Sequence, residues 1–199
     1  MIKINYIKAV LIYSWFVALI AFTIVSCGQY QNNEYGKDLA DVQNGENIDR
    51  KNHQQYAPFL LNAAEFHMKE IFLGQLAQTN GNLDFVKEIG KEMETEHTKA
   101  LKSLKELSDK KLFMLPPSPT QNSQEAINNF TQKMPADFDK DYCKVIVTEH
   151  KDAISLFEKA SKESTDEDVK AWATSQLPVL KANLEHATFC KDKCEKTNG

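Results

Sequence analysis

Between Tyr56 and Lys193 apolar residues return every three or four positions, and the period runs through four long stretches divided by helix breakers. That is the period of an amphipathic helix, whose apolar stripe must be buried against another element. Phe59, Ala63, Phe66, Glu70, Leu73, Gly74 and Ala77 make the first stripe, which stops at Asn80 and Gly81. Val86, Gly90, Met93, His97, Ala100, Leu101 and Leu104 make the second, ending near Lys111 before LFMLPPSPT, where the prolines forbid continuation. A short helical piece, SQEAINNFTQKM, leads to Pro135, and Tyr142, Cys143, Ile146, His150, Ala153, Ile154 and Phe157 make the third stripe. Thr165 with Asp168 resembles an N-terminal cap for a fourth helix running to about Lys193, inside which Pro178 predicts a kink. Four helices of roughly 25 residues, with tight turns after the first and third, predict an all-α fold, an antiparallel four-helix bundle.

The first 26 residues follow another grammar. Two lysines precede AVLIYSWFVALIAFTIVS, an uncharged run that ends at Cys27, and a basic start before an apolar core marks an export signal. Ile24, Val25, Ser26 and Cys27 resemble the lipobox of bacterial lipoproteins, in which the cysteine is lipidated and becomes the new first residue. The run is long for a signal peptide, so an uncleaved membrane anchor is the other reading. The expected organisation is a signal peptide over 1–26, a lipidated Cys27 with a polar tether over 27–54, and a helical domain over 55–196. The tether is rich in Asn, Gln, Asp and Gly and has too few apolar residues to offset its ordering entropy. On this reading the domain lies in the cell envelope outside the cytoplasm, and its membrane contact is the lipid on Cys27. The net charge of −4 and a single arginine, Arg50, argue against nucleic acid as a partner.

Four of the five histidines fall one to a helix: His67, His97, His150 and His186. Counted from the turns near residues 81 and 164, His67, His97 and His150 reach about the same height in an antiparallel bundle. Glu70, His97 and His150 sit near the centres of apolar stripes, where a carboxylate is costly unless it is paired or bound to a cation. Glu94 stands three residues before His97, close enough along the helix for both to reach one point. Carboxylates and imidazoles from facing helices are the ligands of transition-metal bundles, which makes Glu70, Glu94, His97 and His150 a candidate site for iron, manganese or zinc. His67, Asn183 or His186 would complete it. Asn183 is better placed in angle and height, since His186 lies about 10 Å deeper than His150. Glu96 and Glu149, beside their histidines, point away and read as surface charges or outer partners. The competing reading is a metal-free layer in which the same groups hydrogen-bond one another, within a structural or protein-interaction bundle of the envelope.

Three further cysteines lie in the helical domain. Counting from the turn near 164 favours a Cys143 to Cys190 bridge, with Cys143 to Cys194 and Cys190 to Cys194 as alternatives. Another role is as soft ligands for copper or zinc together with His186. No nucleophile phrase, phosphate loop or Ser-His-Asp grouping stands out, so any enzymatic activity would have to come through a metal centre.

The segments FLLNAAEFHMKEIFLGQLA, EMETEHTKALKSLKELS, FDKDYCKVIVTEHKDAISLFEKAS and VKAWATSQLPVLKANLEHA resemble, in order and spacing, the exported bacterial family catalogued as domain of unknown function 4142. The resemblance covers about residues 57–190. It implies a ferritin-like four-helix bundle, often attached to the envelope, with Glu70, His97 and His150 as the matching site residues. The family usually has a histidine three positions after its Leu-Pro-x-Leu phrase. In this chain that place is Asn183, with His186 one turn later.

Overall fold

The computed structural model of the protein describes residues 50–132 and 135–197. The expected signal peptide, the lipidated Cys27 and most of the tether lie outside the described residues. The described chain is all helical: α1 (Arg50–Asn80), α2 (Asp84–Lys110), α3 (Gln121–Thr131), α4 (Pro135–Glu163) and α5 (Glu167–Thr197). None of these helices is long and apolar enough to cross a membrane. α1 begins at Arg50, inside the stretch expected to be tether, and runs on through Pro58 into the first stripe. Tyr56 is already buried there, and Gln55 accepts a hydrogen bond from the Thr165 hydroxyl.

The main helix pairings are α1 with α2, α4 with α5, α2 with α5, and α1 with α4, while α3 packs on α1. Two glycines set the closest of these approaches. A Cβ on Gly74 would stand 2.5 Å from the Gly90 carbonyl oxygen, and one on Gly90 would stand 2.6 Å from the Ala77 Cβ. Only glycine lets the two backbones meet there.

Carboxylates, two of them from other helices, hold the starts of α2, α3 and α5. Leu83, the N-cap residue of α2, supplies no side-chain cap, and the carboxylate of buried Asp139 on α4 accepts from the backbone N–H groups of Asn82 and Leu83 at 3.0 Å. Glu65 on α1 accepts from the Thr120 N–H at 2.9 Å and from its hydroxyl at 2.7 Å, holding the start of α3. The residue that caps α5 is Asp166 rather than Thr165. Its Oδ1 accepts from Asp168 and Val169 N–H at 3.1 Å, and Lys111 at the end of α2 pairs with Asp166 and Asp168.

The core divides into two apolar clusters. One gathers Tyr56, Leu60, Leu104, Phe157, Val169, Trp172 and Leu180, and the other Leu73, Val86, Met93, Phe138, Ile146, Ala187 and Cys190. Along each long helix a buried polar residue falls at the changeover between them: His67 and Glu70 on α1, His97 on α2, His150 on α4 and Asn183 on α5. A polar layer therefore interrupts the core at one level.

Candidate metal centre

The height of this layer follows from the glycine contact. His67 lies seven residues before Gly74 and His97 seven after Gly90, two turns from the closest approach on either helix. Helices that run back along one another place those residues side by side, and the two Nδ1 atoms are 2.9 Å apart. The other side of the His97 ring meets α4, with Nε2 3.2 Å from His150 Nε2. His150 Nδ1 stands 2.8 Å from the Ile146 carbonyl oxygen.

These contacts fix every proton in the row. The Ile146 carbonyl only accepts, so His150 carries its proton on Nδ1 and, being neutral, leaves Nε2 bare. His97 must then donate from Nε2, which bares its Nδ1, and His67 donates to that atom from its own Nδ1. The row ends at His67 Nε2, a buried acceptor with no partner. Neutrality follows from burial, which lowers the His67 pKa from 6.5 to about 3, with help from His150, and that of His150 to about 4. His97 is held well below its ordinary value by the same burial and by its two histidine neighbours.

Glu70 completes the group. Oxygen of Glu70 and one ring nitrogen each of His97 and His150 lie within 4.8 Å of one another, and all three side chains are buried. Both Glu70 carboxyl oxygens lack any hydrogen-bond partner. Burial foremost, and the nearby Glu149 carboxylate next, push the Glu70 carboxyl well above its ordinary pKa, with Lys69 opposing. Lys69 and Glu149 form an ion pair over this spot. Glu149, read from sequence as a surface or outer residue, thus acts electrostatically on the centre. The Tyr142 hydroxyl is also buried without a partner.

Three of the expected residues come together, and the others occupy different places. His67 touches His97 through the nitrogen turned away from His150. Glu94 is not in the cluster: its Oε1 and Oε2 accept from Gln75 at 2.8 Å and Gln78 at 2.7 Å. The bonds from Gln78 and then Gln75 hold its carboxyl below the ordinary value. The cause is the glycine approach, which lays Glu94 against α1, its Cβ 3.3 Å from the position a Gly74 side chain would take. His186 is likewise outside, with its side chain 55% exposed and its Nδ1 2.7 Å from Glu92 Oε1. Asn183 is buried in the polar layer with its Nδ2 unpartnered.

Phe66 was read from sequence only as a core position. Its ring centroid lies 5.2, 5.0 and 5.4 Å from those of His67, His97 and His150. It also lines a surface groove of about 340 Å³ together with Glu65, Lys69, Glu149, Asp152 and Leu156. The ring therefore separates the groove from the imidazoles.

The set Glu70, His97 and His150 suits a transition ion. Two imidazole nitrogens on one ion, each about 2.0–2.1 Å from it at near-tetrahedral angles, stand about 3.3 Å apart, and the Nε2 atoms of His97 and His150 are 3.2 Å apart. His150 is already oriented through its other nitrogen by a backbone carbonyl, the usual arrangement behind a metal-bound histidine. A cation would also neutralise the carboxylate that is otherwise expensive to bury.

Comparison with known proteins gives a family and no closer relative. A family profile described as a domain of unknown function (DUF4142) matches residues 42–189. No curated protein and no solved structure matches.

Proposed function

The chain belongs to the DUF4142 family, and we propose that it is a ferritin-like four-helix bundle that binds one transition ion on Glu70, His97 and His150, held at a membrane by lipid on Cys27. The single observation that carries the metal reading is Glu70. A carboxyl group buried with both oxygens unpartnered costs several kcal/mol unless a cation or proton balances it. One ring nitrogen each of His97 and His150 lies within 4.8 Å of a Glu70 oxygen. Two histidines and one carboxylate leave coordination positions open, a set used by iron and zinc proteins. A bound ion would supply Lewis acidity at those open positions. The protein's own part is to orient His150 through Ile146, to hold His97 against His67, and to keep water out with Phe66. In the bundle as proposed, α1, α2, α4 and α5 alternate in direction and α3 covers one flank.

Elemental analysis of the full chain, purified without chelator and reconstituted in turn with iron, manganese and zinc, tests the metal. About one ion per chain is expected, and its loss in His97→Gln. Less than about a tenth of an equivalent of each overturns the proposal. Partition into detergent, lost in Cys27→Ser, tests the anchor.

A second reading rests on the directional row of imidazole contacts, which satisfies the histidines without an ion. In that case the layer serves to fix helix register in a structural or interaction protein of the envelope. It expects no bound metal and near-native stability in a Glu70→Gln, His97→Gln protein.

A further inference from the structure

A second cluster of ligand atoms lies in the other half of the core, independent of the Glu–His layer. Cys143 on α4 and Cys190 on α5 are joined as a disulfide, with Cα atoms 5.9 Å apart. Cys194, one turn after Cys190, is a free thiol whose Sγ is 3.8 Å from Cys143 Sγ. The three sulfurs all lie within 4.8 Å of one another, and all three residues are buried. Cys143 is seven residues before His150, about 10 Å along the helix, so the two groups do not share ligands. His186, considered from sequence as a companion ligand, is on the surface with Glu92.

A structural bridge needs two cysteines, and an alanine at 194 would fill an apolar site without a reactive thiol. Exchange within the trio is opposed by the geometry. A thiolate attacks a disulfide through the antibonding orbital that lies behind the sulfur, opposite the leaving group. With a bond of about 2.05 Å, a 3.8 Å contact and a third side under 4.8 Å, the angle at Cys143 Sγ is at most about 106°. Cys194 therefore sits beside the bond, out of line for attack. A triangle of sulfurs is instead the shape of a trigonal thiolate site. With metal–sulfur bonds of about 2.3 Å, such a site has sulfurs about 4.0 Å apart.

From these distances and from the burial of all three sulfurs we infer that, once the bridge is reduced, Cys143, Cys190 and Cys194 form a binding site for monovalent copper. Reduction by a dithiol is balanced: the dithiol becomes a cyclic disulfide and passes two electrons and two protons to Cys143 and Cys190. Copper(I) then bonds to the sulfurs, and the displaced thiol protons leave to water. Three soft ligands with no fourth in the group among the described residues favour copper(I) over zinc, whose structural sites hold four. The buried Asp139 carboxylate is engaged by Asn82 and Leu83 N–H.

The test uses the full chain carrying Cys27→Ser, reduced with dithiothreitol, desalted without oxygen and titrated with copper(I) against a coloured copper(I) chelator. The expected result is one copper per reduced chain, with sulfur-to-copper charge-transfer absorption, and none for the oxidised chain. Cys194→Ser, which retains the bridging pair, should weaken copper binding at least about tenfold, and Cys194→Ala should do the same. Copper affinity equal to the parent's in both variants, no copper uptake by the reduced parent, or loss of helical circular dichroism on reduction overturns the inference. So does mass mapping that finds a Cys143 to Cys194 bridge in place of the free Cys194.

Discussion

Acidification from about pH 7 to about pH 5 should destabilise the metal-free protein, by an amount that four buried groups determine. In the folded chain burial holds His67 near 3 and His150 near 4, and burial with its neighbours holds His97 well below 6.5. His67 and His150 are neutral at pH 5 when folded and protonated when unfolded, and His97 is shifted in the same direction. The unfolded state then binds more protons, so this contribution is complete above 6.5 and is lost as pH falls toward the folded values. At pH 5 His67 and His150, each with an unfolded pKa of about 6.5, favour the unfolded chain by about 2 kcal/mol apiece, or about 4 kcal/mol for the two, and His97 adds to this in the same direction. Glu70 works the other way. Its raised pKa favours the proton-bound form in the folded chain, which offsets part of that loss over the same interval. Glu94 and Asp168, held below their ordinary values by bonds from Gln78 and Lys110, act only at lower pH. A net loss of stability is expected for the parent and a larger loss for Glu70→Gln, which lacks the opposing group. Urea unfolding followed by far-UV circular dichroism, with chelator present, measures both. Equal stability of the parent at the two pH values, or no steeper loss in Glu70→Gln, refutes the buried neutral layer.

Gly74→Ala should cost about 3 kcal/mol in the same assay, because its Cβ meets the Gly90 backbone and no side chain can move aside. A neutral result would mean that α1 and α2 are not pinned there. Leu112 follows α2 with a φ of 52° and is 65% exposed, so Leu112→Gly should stabilise by about 0.5–1 kcal/mol after glycine's entropy cost. Destabilisation would show that the leucine side chain matters more than the backbone strain. Phe66→Ala should speed metal uptake and release in stopped-flow mixing without changing stoichiometry, since the ring stands between groove and histidines. Unchanged rates would place the entry path elsewhere. Nitrogen-15 spectra should show His97 protonated at Nε2 without metal and at Nδ1 with zinc, because the ion takes the Nε2 that donates to His150. A bound zinc with no change of tautomer excludes His97 Nε2 as its ligand.

The helices were legible because each stripe carries its own period and each break its own chemistry. Asn80 and Gly81 end α1, and LPPSPT parts α2 from α3, without help from tertiary structure. Caps were less legible because they come from elsewhere. The carboxylate that serves the start of α2 belongs to Asp139, 56 residues past Leu83. Thr165 looks like a cap for α5, but its hydroxyl donates to Gln55 on α1, distant in sequence, and Asp166 does the work.

For the site, helical counting brings the right residues to one height but cannot assign them to one point. Height follows from rise per residue, so His67, His97 and His150 could be matched across three helices. Lateral position depends on how closely the helices approach, and at Gly74 and Gly90 they come closer than side chains allow. That approach lifts Glu94 out over α1 toward Gln75 and Gln78, leaving Glu70 as the carboxylate of the layer. The direction of the histidine row was out of reach for a related reason: it is set by the Ile146 carbonyl, a backbone atom that any residue would provide. The consequence is chemical. Metal and proton compete for His97 Nε2, so an ion entering the layer must reverse the contact with His67 as well as displace the one with His150. In the proposed site the buried row would therefore link metal binding on one face of His97 to the protonation of His67 on the other.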